Sequence, residues 1–161
     1  MLFGIEPLQP GQPAPNFSLR AADGRLIKLS DYKNKKNVVL FFYPKDDSPG
    51  CTAEACTFRD RYDDFVEAGA EVIGISADSA DSHQKFSTKH GLPMTLLTDE
   101  KGTIRKAYNV KDTFGLVPGR VTFLIDRKGI IRHVFSSQIR VHQHVEQALQ
   151  VLRELQNNPS H

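Results

Sequence analysis

Cysteine is scarce in this chain: its 161 residues contain two, Cys51 and Cys56. Two cannot build the disulfide framework of a small secreted domain, and a catalytic dithiol in a reducing compartment fits them better. An excess of charge is missing as well. Lys and Arg total 21 against 19 Asp and Glu, a formal net charge of +2, which gives no footing for nucleic acid or an anionic membrane as the main partner. No apolar run approaches the length of a membrane span. Met1 to Pro7 show neither the basic-then-apolar pattern of a secretory signal nor the Arg- and Ser-rich composition of a transit segment. Repeats, linkers and low-complexity segments are also lacking, so the chain is expected to form a single domain over residues 1–161, long enough for a proper core.

What the chain does have is concentrated between Phe41 and Asp60. An apolar run from Val38 to Tyr43 is short and rich in β-branched and aromatic residues, like a buried strand. Pro44, Pro49 and Gly50 interrupt it with loop chemistry. From Thr52 the composition turns helical, with Phe58, Tyr62, Phe65 and Val66 at spacings of three and four. Cys51 and Cys56 therefore lie at, and just inside, the start of a helix that follows a strand. A cysteine there faces unpaired backbone N–H groups and the positive end of the helix dipole, both of which favour thiolate over thiol.

The spacing of the pair carries a further expectation. Five residues apart on one regular helix, their Cα atoms are about 8–9 Å apart on well-separated faces, whereas a disulfide needs them within roughly 7 Å. The pair can bridge only if the first turns unwind, which describes an element that is folded when reduced and locally melted when oxidised. Two ordinary buried thiols are the bland alternative, since free Cys packs as a small hydrophobe. A zinc site lacks its ligand set, because there is no second Cys pair and the six histidines form no tight group. His142 and His144 are expected on the exposed surface of the last helix.

Elsewhere, Phe17–Leu19 and Leu26–Leu29 suggest short strands about an Asp23-Gly24 turn, and Ser30–Tyr32 a brief helical turn. Gly69 ends the cysteine helix. Glu71–Ser76 suggests a buried strand, and Asp78–Ser82 carry cap residues for a helix to about Lys89, closed by His90-Gly91. Thr95–Leu97 is a short strand, and Asp99-Glu100 open a helical piece through Tyr108. Val121–Asp126 and Ile130–Phe135 form a hairpin, and a helix from Val141 to Leu155 places Val145, Leu149, Leu152 and Leu155 on one face. This order gives an α/β fold: a mixed central β-sheet with helices on both faces and an N-terminal β-hairpin, compatible with a thioredoxin-like fold.

The run Pro44-x-x-x-Ser48-x-x-Cys51 resembles the peroxiredoxin active-site signature, Pro-x-x-x-Thr/Ser-x-x-Cys. The wider run Phe42–Asp60 is similar to the Q-type, or bacterioferritin-comigratory, subfamily, with a second cysteine five residues on. The likeness extends from Pro13-Ala14-Pro15-Asn16-Phe17 to the C-terminal helix, and around Phe114–Arg120 it resembles plant and cyanobacterial members. The resemblance implies a thioredoxin-like fold and a thiol-dependent peroxidase acting on hydrogen peroxide and organic hydroperoxides. It implies Cys51 as the attacking sulfur, Cys56 as the resolving thiol, thioredoxin or a similar dithiol protein as reductant, and no metal, flavin or haem. It also implies a monomer or weak dimer, in a bacterial cytoplasm or as a processed plastid protein.

Peroxide reduction by a thiolate needs an ionised sulfur, an aligned peroxide and stabilised charge on its oxygens. The N–H groups of Gly50 and Cys51 could donate to the peroxide, and Gly50 lets the backbone come close. Pro44 and Pro49 would shield the sulfur. Ser48 Oγ could bond both thiolate and peroxide; the family's usual Thr carries a methyl that restrains the rotamer, and Ser lacks it. Arg120, after Pro118-Gly119, matches the family arginine that favours the thiolate and holds the peroxide. Glu54, one turn after Cys51, could orient Arg120 or simply be a solvated first-turn carboxylate. His144 matches a family histidine, with no chemistry assigned. Phe114 and Leu116 could line the substrate mouth or a subunit contact, or merely pack. A thioredoxin-like disulfide reductase is the redox rival, disfavoured because Cys-x-x-Cys is absent. A redox-sensing binding protein and a non-catalytic module are the rivals from other classes.

Overall fold

The computed structural model describes residues 7–111, 119–137 and 140–157; Phe114 and Leu116 lie outside them. The elements run β1 (Ser18–Arg20), β2 (Leu26–Lys28), a 3-10 turn (Leu29–Tyr32), β3 (Asn37–Phe42), α1 (Pro49–Asp60), α2 (Tyr62–Glu67), β4 (Ala70–Ser76), α3 (Ala80–His90), β5 (Thr95–Thr98), α4 (Thr103–Ala107), β6 (Val121–Ile125), β7 (Ile131–Ser136) and α5 (Val141–Gln156). The central sheet has five strands in the order β5-β4-β3-β6-β7. β3 pairs parallel with β4 and antiparallel with β6, so the sheet is mixed, as expected. β1 and β2 form a separate antiparallel hairpin.

β3 lies in the middle because it is apolar on both faces. Val39 and Phe41, with Tyr43 just beyond the strand, join Cys51, Ala55, Phe58, Phe65, Phe86, Val145, Leu149 and Leu152 in one core cluster. Val38, Leu40 and Phe42 join the other, with Phe17 and Ile27 of the hairpin region and Tyr108 after α4. The steps from β3 to β4 and from β4 to β5 run in one direction across the sheet. Right-handed crossovers therefore put α1, α2 and α3 on one face, where α5 packs against α1. The short α4 and the hairpin cover the other face, so the expected helices on both faces are present.

Two local expectations are corrected. The cysteine helix breaks at Arg61 into α1 and α2, and Val66 is 51 % exposed. Phe65 is the buried residue of α2, and Val66, about 100° round the helix from it, faces solvent. The helical piece expected from Asp99 starts at Thr103 instead, after Gly102 in a left-handed conformation (φ 70°). Asp99 serves as its cap: the carboxylate accepts the backbone N–H groups of Ile104 (3.2 Å) and Arg105 (2.9 Å).

Candidate active site

Pro44 carries no N–H, so it ends the pairing that Tyr43 continues from β3 through its N–H to the Ile75 carbonyl (3.1 Å). The loop that follows is tied to α3 by two adjacent aspartates. Asp46 is buried; it accepts the Tyr43 hydroxyl (2.6 Å) and the Ser82 hydroxyl (2.8 Å) and lies 2.7 Å from His83 Nδ1. Asp47 adopts a left-handed backbone (φ 63°) and pairs with Lys89 (2.9 Å) and His90 (3.2 Å). Among the described residues, Asp46, Asp78 and His83 are the one group whose donor atoms lie close enough to hold a cation. Tyr43, Ser76 and Ser82 already bond them, so the cluster knits the loop to α3.

Ser48 is the N-cap of α1 and Pro49 its first residue, which places Cys51 at the third helical position among amides with no helical acceptor. The Cys51 sulfur is buried in the helical-face core. Arg120, which precedes β6, reaches it across 69 positions of sequence: Nη2 donates to Cys51 Sγ at 3.4 Å. The other arm of the fork, Nη1, donates to Glu54 Oε1 at 2.8 Å. Arg120 is 4 % exposed and Glu54 0 %, so Glu54 is a buried partner of the guanidinium and the solvated reading of this carboxylate is set aside. Antiparallel pairing of Phe42 with Val121 brings the end of β3 and the start of β6 side by side, and this is what closes the long sequence gap.

Gly50 has to be small here, because a Cβ on it would stand 2.9 Å from Arg120 Nη2. Arg105 was not anticipated. It donates from Nη1 to the Gly119 carbonyl (2.9 Å) and from Nη2 to the Tyr43 carbonyl (3.1 Å), pinning the backbone before Arg120 to the backbone before Pro44. No sequence signal separates Arg105 from an ordinary helix-surface arginine.

Burial pushes the Glu54 carboxyl up to about 7, against the opposing pull of Arg120. Arg120 is itself desolvated, yet the charges of Glu54 and Cys51 outweigh that and raise it above its ordinary value.

Ser48 departs from expectation. Its hydroxyl donates to the Lys45 carbonyl (2.9 Å) and makes no hydrogen bond to Cys51 Sγ. Serine has no methyl to fix its rotamer, and a loop carbonyl three residues back competes for the proton. Pro44 is half-buried and Pro49 exposed. Cys56 is half-buried, unbridged, and on the same unbroken helix as Cys51, a separation of about 8–9 Å along a regular helix. His144 is corrected too: it is fully buried, while His142 is exposed and lies 2.9 Å from Thr57 Oγ1. The buried stripe of α5 runs through 144, 145, 148, 149 and 152, and that periodicity was the available signal.

The chain matches the AhpC/TSA family over residues 10–134. It is 47% identical over 146 residues to the chloroplastic peroxiredoxin Q of Oryza sativa subsp. japonica, covering 90% of this chain and 67% of that protein. It is 46% identical over 146 residues to the chloroplastic peroxiredoxin Q of Populus jackii, covering 90% and 68%. Among solved structures, peroxidoxin BcpB of Mycobacterium tuberculosis superposes with a TM-score of 0.85 at 34% identity, over 92% of this chain and 98% of that one. The bacterioferritin comigratory protein of Xanthomonas campestris, described by its alkyl peroxide reduction activity, superposes with a TM-score of 0.79 at 29% identity, over 87% and 92%. The fold is thus thioredoxin-like, of the AhpC/TSA kind.

Proposed function

Because the chain belongs to the AhpC/TSA family, as a thiol-dependent peroxidase of the peroxiredoxin Q type, we propose that Cys51 attacks the peroxide, that Cys56 resolves the product, and that thioredoxin or a similar dithiol protein restores both thiols. The observation that carries this reading is the Arg120 fork, divided between Cys51 Sγ and Glu54. It supplies a fixed positive charge beside the sulfur and a donor where a peroxide oxygen would gain charge.

In the first step the Cys51 thiolate forms an S–O bond to one peroxide oxygen while the O–O bond breaks. The sulfur loses two electrons, and the departing hydroxide or alkoxide takes up a proton to leave as water or alcohol. The amides of Gly50 and Cys51 and the guanidinium of Arg120 are the donors for the reacting oxygens. Pro44 ends the strand pairing ahead of the loop that carries Ser48, whose hydroxyl can turn from Lys45 to a bound peroxide.

The product, a sulfenic acid, condenses with a nearby thiol and releases water. Cys56 is the other thiol in the chain, and α1 must open for it to reach Cys51. External dithiol then reduces the disulfide by exchange. Hydrogen peroxide and alkyl hydroperoxides are both proposed as substrates; the activity named for the Xanthomonas relative supports the alkyl class. The chloroplastic relatives support a plastid setting over a bacterial cytoplasm, and we take the working unit as a monomer.

The test is Cys56→Ser. With a thioredoxin reducing system this variant is expected to consume about one equivalent of peroxide and then stall or over-oxidise at Cys51, because the sulfenic acid has lost its partner. Normal turnover would mean that an outside thiol resolves Cys51 and that α1 need not open.

A further inference from the structure

The proposed chemistry uses Cys51, Arg120 and one oxygen of Glu54. The other oxygen, Oε2, is buried and makes no hydrogen bond. His144 Nδ1 lies 3.5 Å from it, and both side chains are fully enclosed. The imidazole is fixed by its surroundings. Nε2 sits 2.8 Å from the Ser137 carbonyl; a carbonyl can only accept, so Nε2 carries a proton. Phe135 packs edge-on against the ring, 4.7 Å between centroids. A neutral His144 has one lone pair at Nδ1, to which the Thr122 hydroxyl, 2.7 Å away, can donate until a proton from Glu54 Oε2 takes its place.

A carboxylate oxygen facing that lone pair is both repelled and left without a donor, in a place where an unmet buried acceptor is costly. One proton between Oε2 and Nδ1 removes both penalties. We propose that His144 is a positioning residue of the active site, holding one proton in common with Glu54 and thereby setting how much of the Arg120 charge is left for the Cys51 sulfur. The inference rests on the reading of Cys51 as the attacking thiolate.

The charges in this enclosure make the consequence plain. Arg120 contributes one positive charge, and a Cys51 thiolate and a Glu54 carboxylate contribute one negative charge each. With the shared proton in place the group is neutral overall; without it the thiolate shares its one cation with a second buried anion. Among the described residues, the ionisable groups that act on the pair are Arg120 before β6 and His133 on β7, and Cys51 meets it through Arg120. Burial, Arg120 and His133 all work against a charge on His144, which is pushed down to about 4, while burial raises Glu54 to about 7. These opposite shifts put the shared proton nearer Glu54 than His144. Since the folded value of Glu54 lies above its ordinary one, the stability of the neutral acid is full below about 4.5 and is lost as pH rises through about 7.

Carboxyl carbon NMR of the reduced protein, labelled at glutamate and with Glu54→Gln to identify the signal, tests this directly. The Glu54 signal is expected to titrate near 7 in the wild type. In His144→Asn an amide N–H can meet Oε2 without any proton being shared, and the midpoint is expected to fall by about one unit or more. In His144→Phe the carboxylate is no longer repelled and the acid has no acceptor for its proton, so the midpoint is expected to fall there as well. The pH profile of Cys51 oxidation by hydrogen peroxide should show an inflection that moves with the carboxyl midpoint. A Glu54 midpoint that is unchanged or raised in His144→Asn overturns the proposal, and this variant decides the matter alone should His144→Phe fail to fold. If the wild type consumes no peroxide, the reading of Cys51 fails instead, while the carboxyl titration still reports on the pair.

Discussion

Cys51→Ser is expected to reduce peroxide consumption to that of buffer and reductant alone, at every pH and with every hydroperoxide. The reaction needs a nucleophile that is ionised near neutral pH and can give up two electrons to a breaking O–O bond. A serine hydroxyl does neither. Its loss is therefore a loss of the reaction itself and not a slowing of it. The substitution is otherwise mild: Oγ takes the place of Sγ at the start of α1, and Arg120 Nη2, which donates to the sulfur at 3.4 Å, can donate to the oxygen. Thermal melting close to that of the wild type, together with absent turnover in a coupled NADPH assay, is the expected pair of results. Retained turnover would move the chemistry to Cys56 or off the cysteines altogether.

Arg120→Ala is expected to slow oxidation of Cys51 by about 10³-fold in the second-order rate constant measured by stopped flow, equivalent to ~4 kcal/mol of transition-state stabilisation. Two contributions are lost together. The positive charge beside the sulfur goes, and with it the donor for the peroxide oxygens. Glu54 is also left as a buried carboxyl with no cation, which pushes its carboxyl further up. Arg120→Lys separates these effects. It keeps the charge but cannot place one nitrogen on Cys51 and another on Glu54, because an ammonium has no planar fork. It should fall between Ala and wild type. A rate within a few-fold of wild type for Arg120→Ala would show that the helix N-terminus activates the sulfur without Arg120.

The parts of the site carried by local sequence were legible. An unbroken apolar run places β3 in the core, and Pro44, Pro49 and Gly50 mark a loop and helix start that put Cys51 among free amides. Arg120 was different: nothing in its own surroundings marks it, and it was reached through the family resemblance. Its partnership with Cys51 depends on a strand pairing, Phe42 with Val121, that no local pattern announces. Glu54 stood between a solvated and an oriented reading until its complete burial decided for the second. His142 and His144 look alike in sequence, yet they point to opposite sides of α5, one to solvent and one into the core. The Ser48 hydroxyl was aimed at the sulfur, whereas a carbonyl three residues back holds its proton. Asp46 and His83 went unremarked, since 37 residues separate them and the bond between them forms only when α3 docks beside the loop.

The most direct measurement is to add one equivalent of hydrogen peroxide to the reduced wild-type protein and determine its intact mass, its free thiols and its cysteine peptides. The predicted result is a monomer two hydrogens lighter, with no free thiol and one peptide link between Cys51 and Cys56. A Cys51 that gains oxygen while Cys56 stays free, or disulfide-linked dimers in place of the internal bridge, would contradict the proposal that α1 opens to let one chain resolve itself.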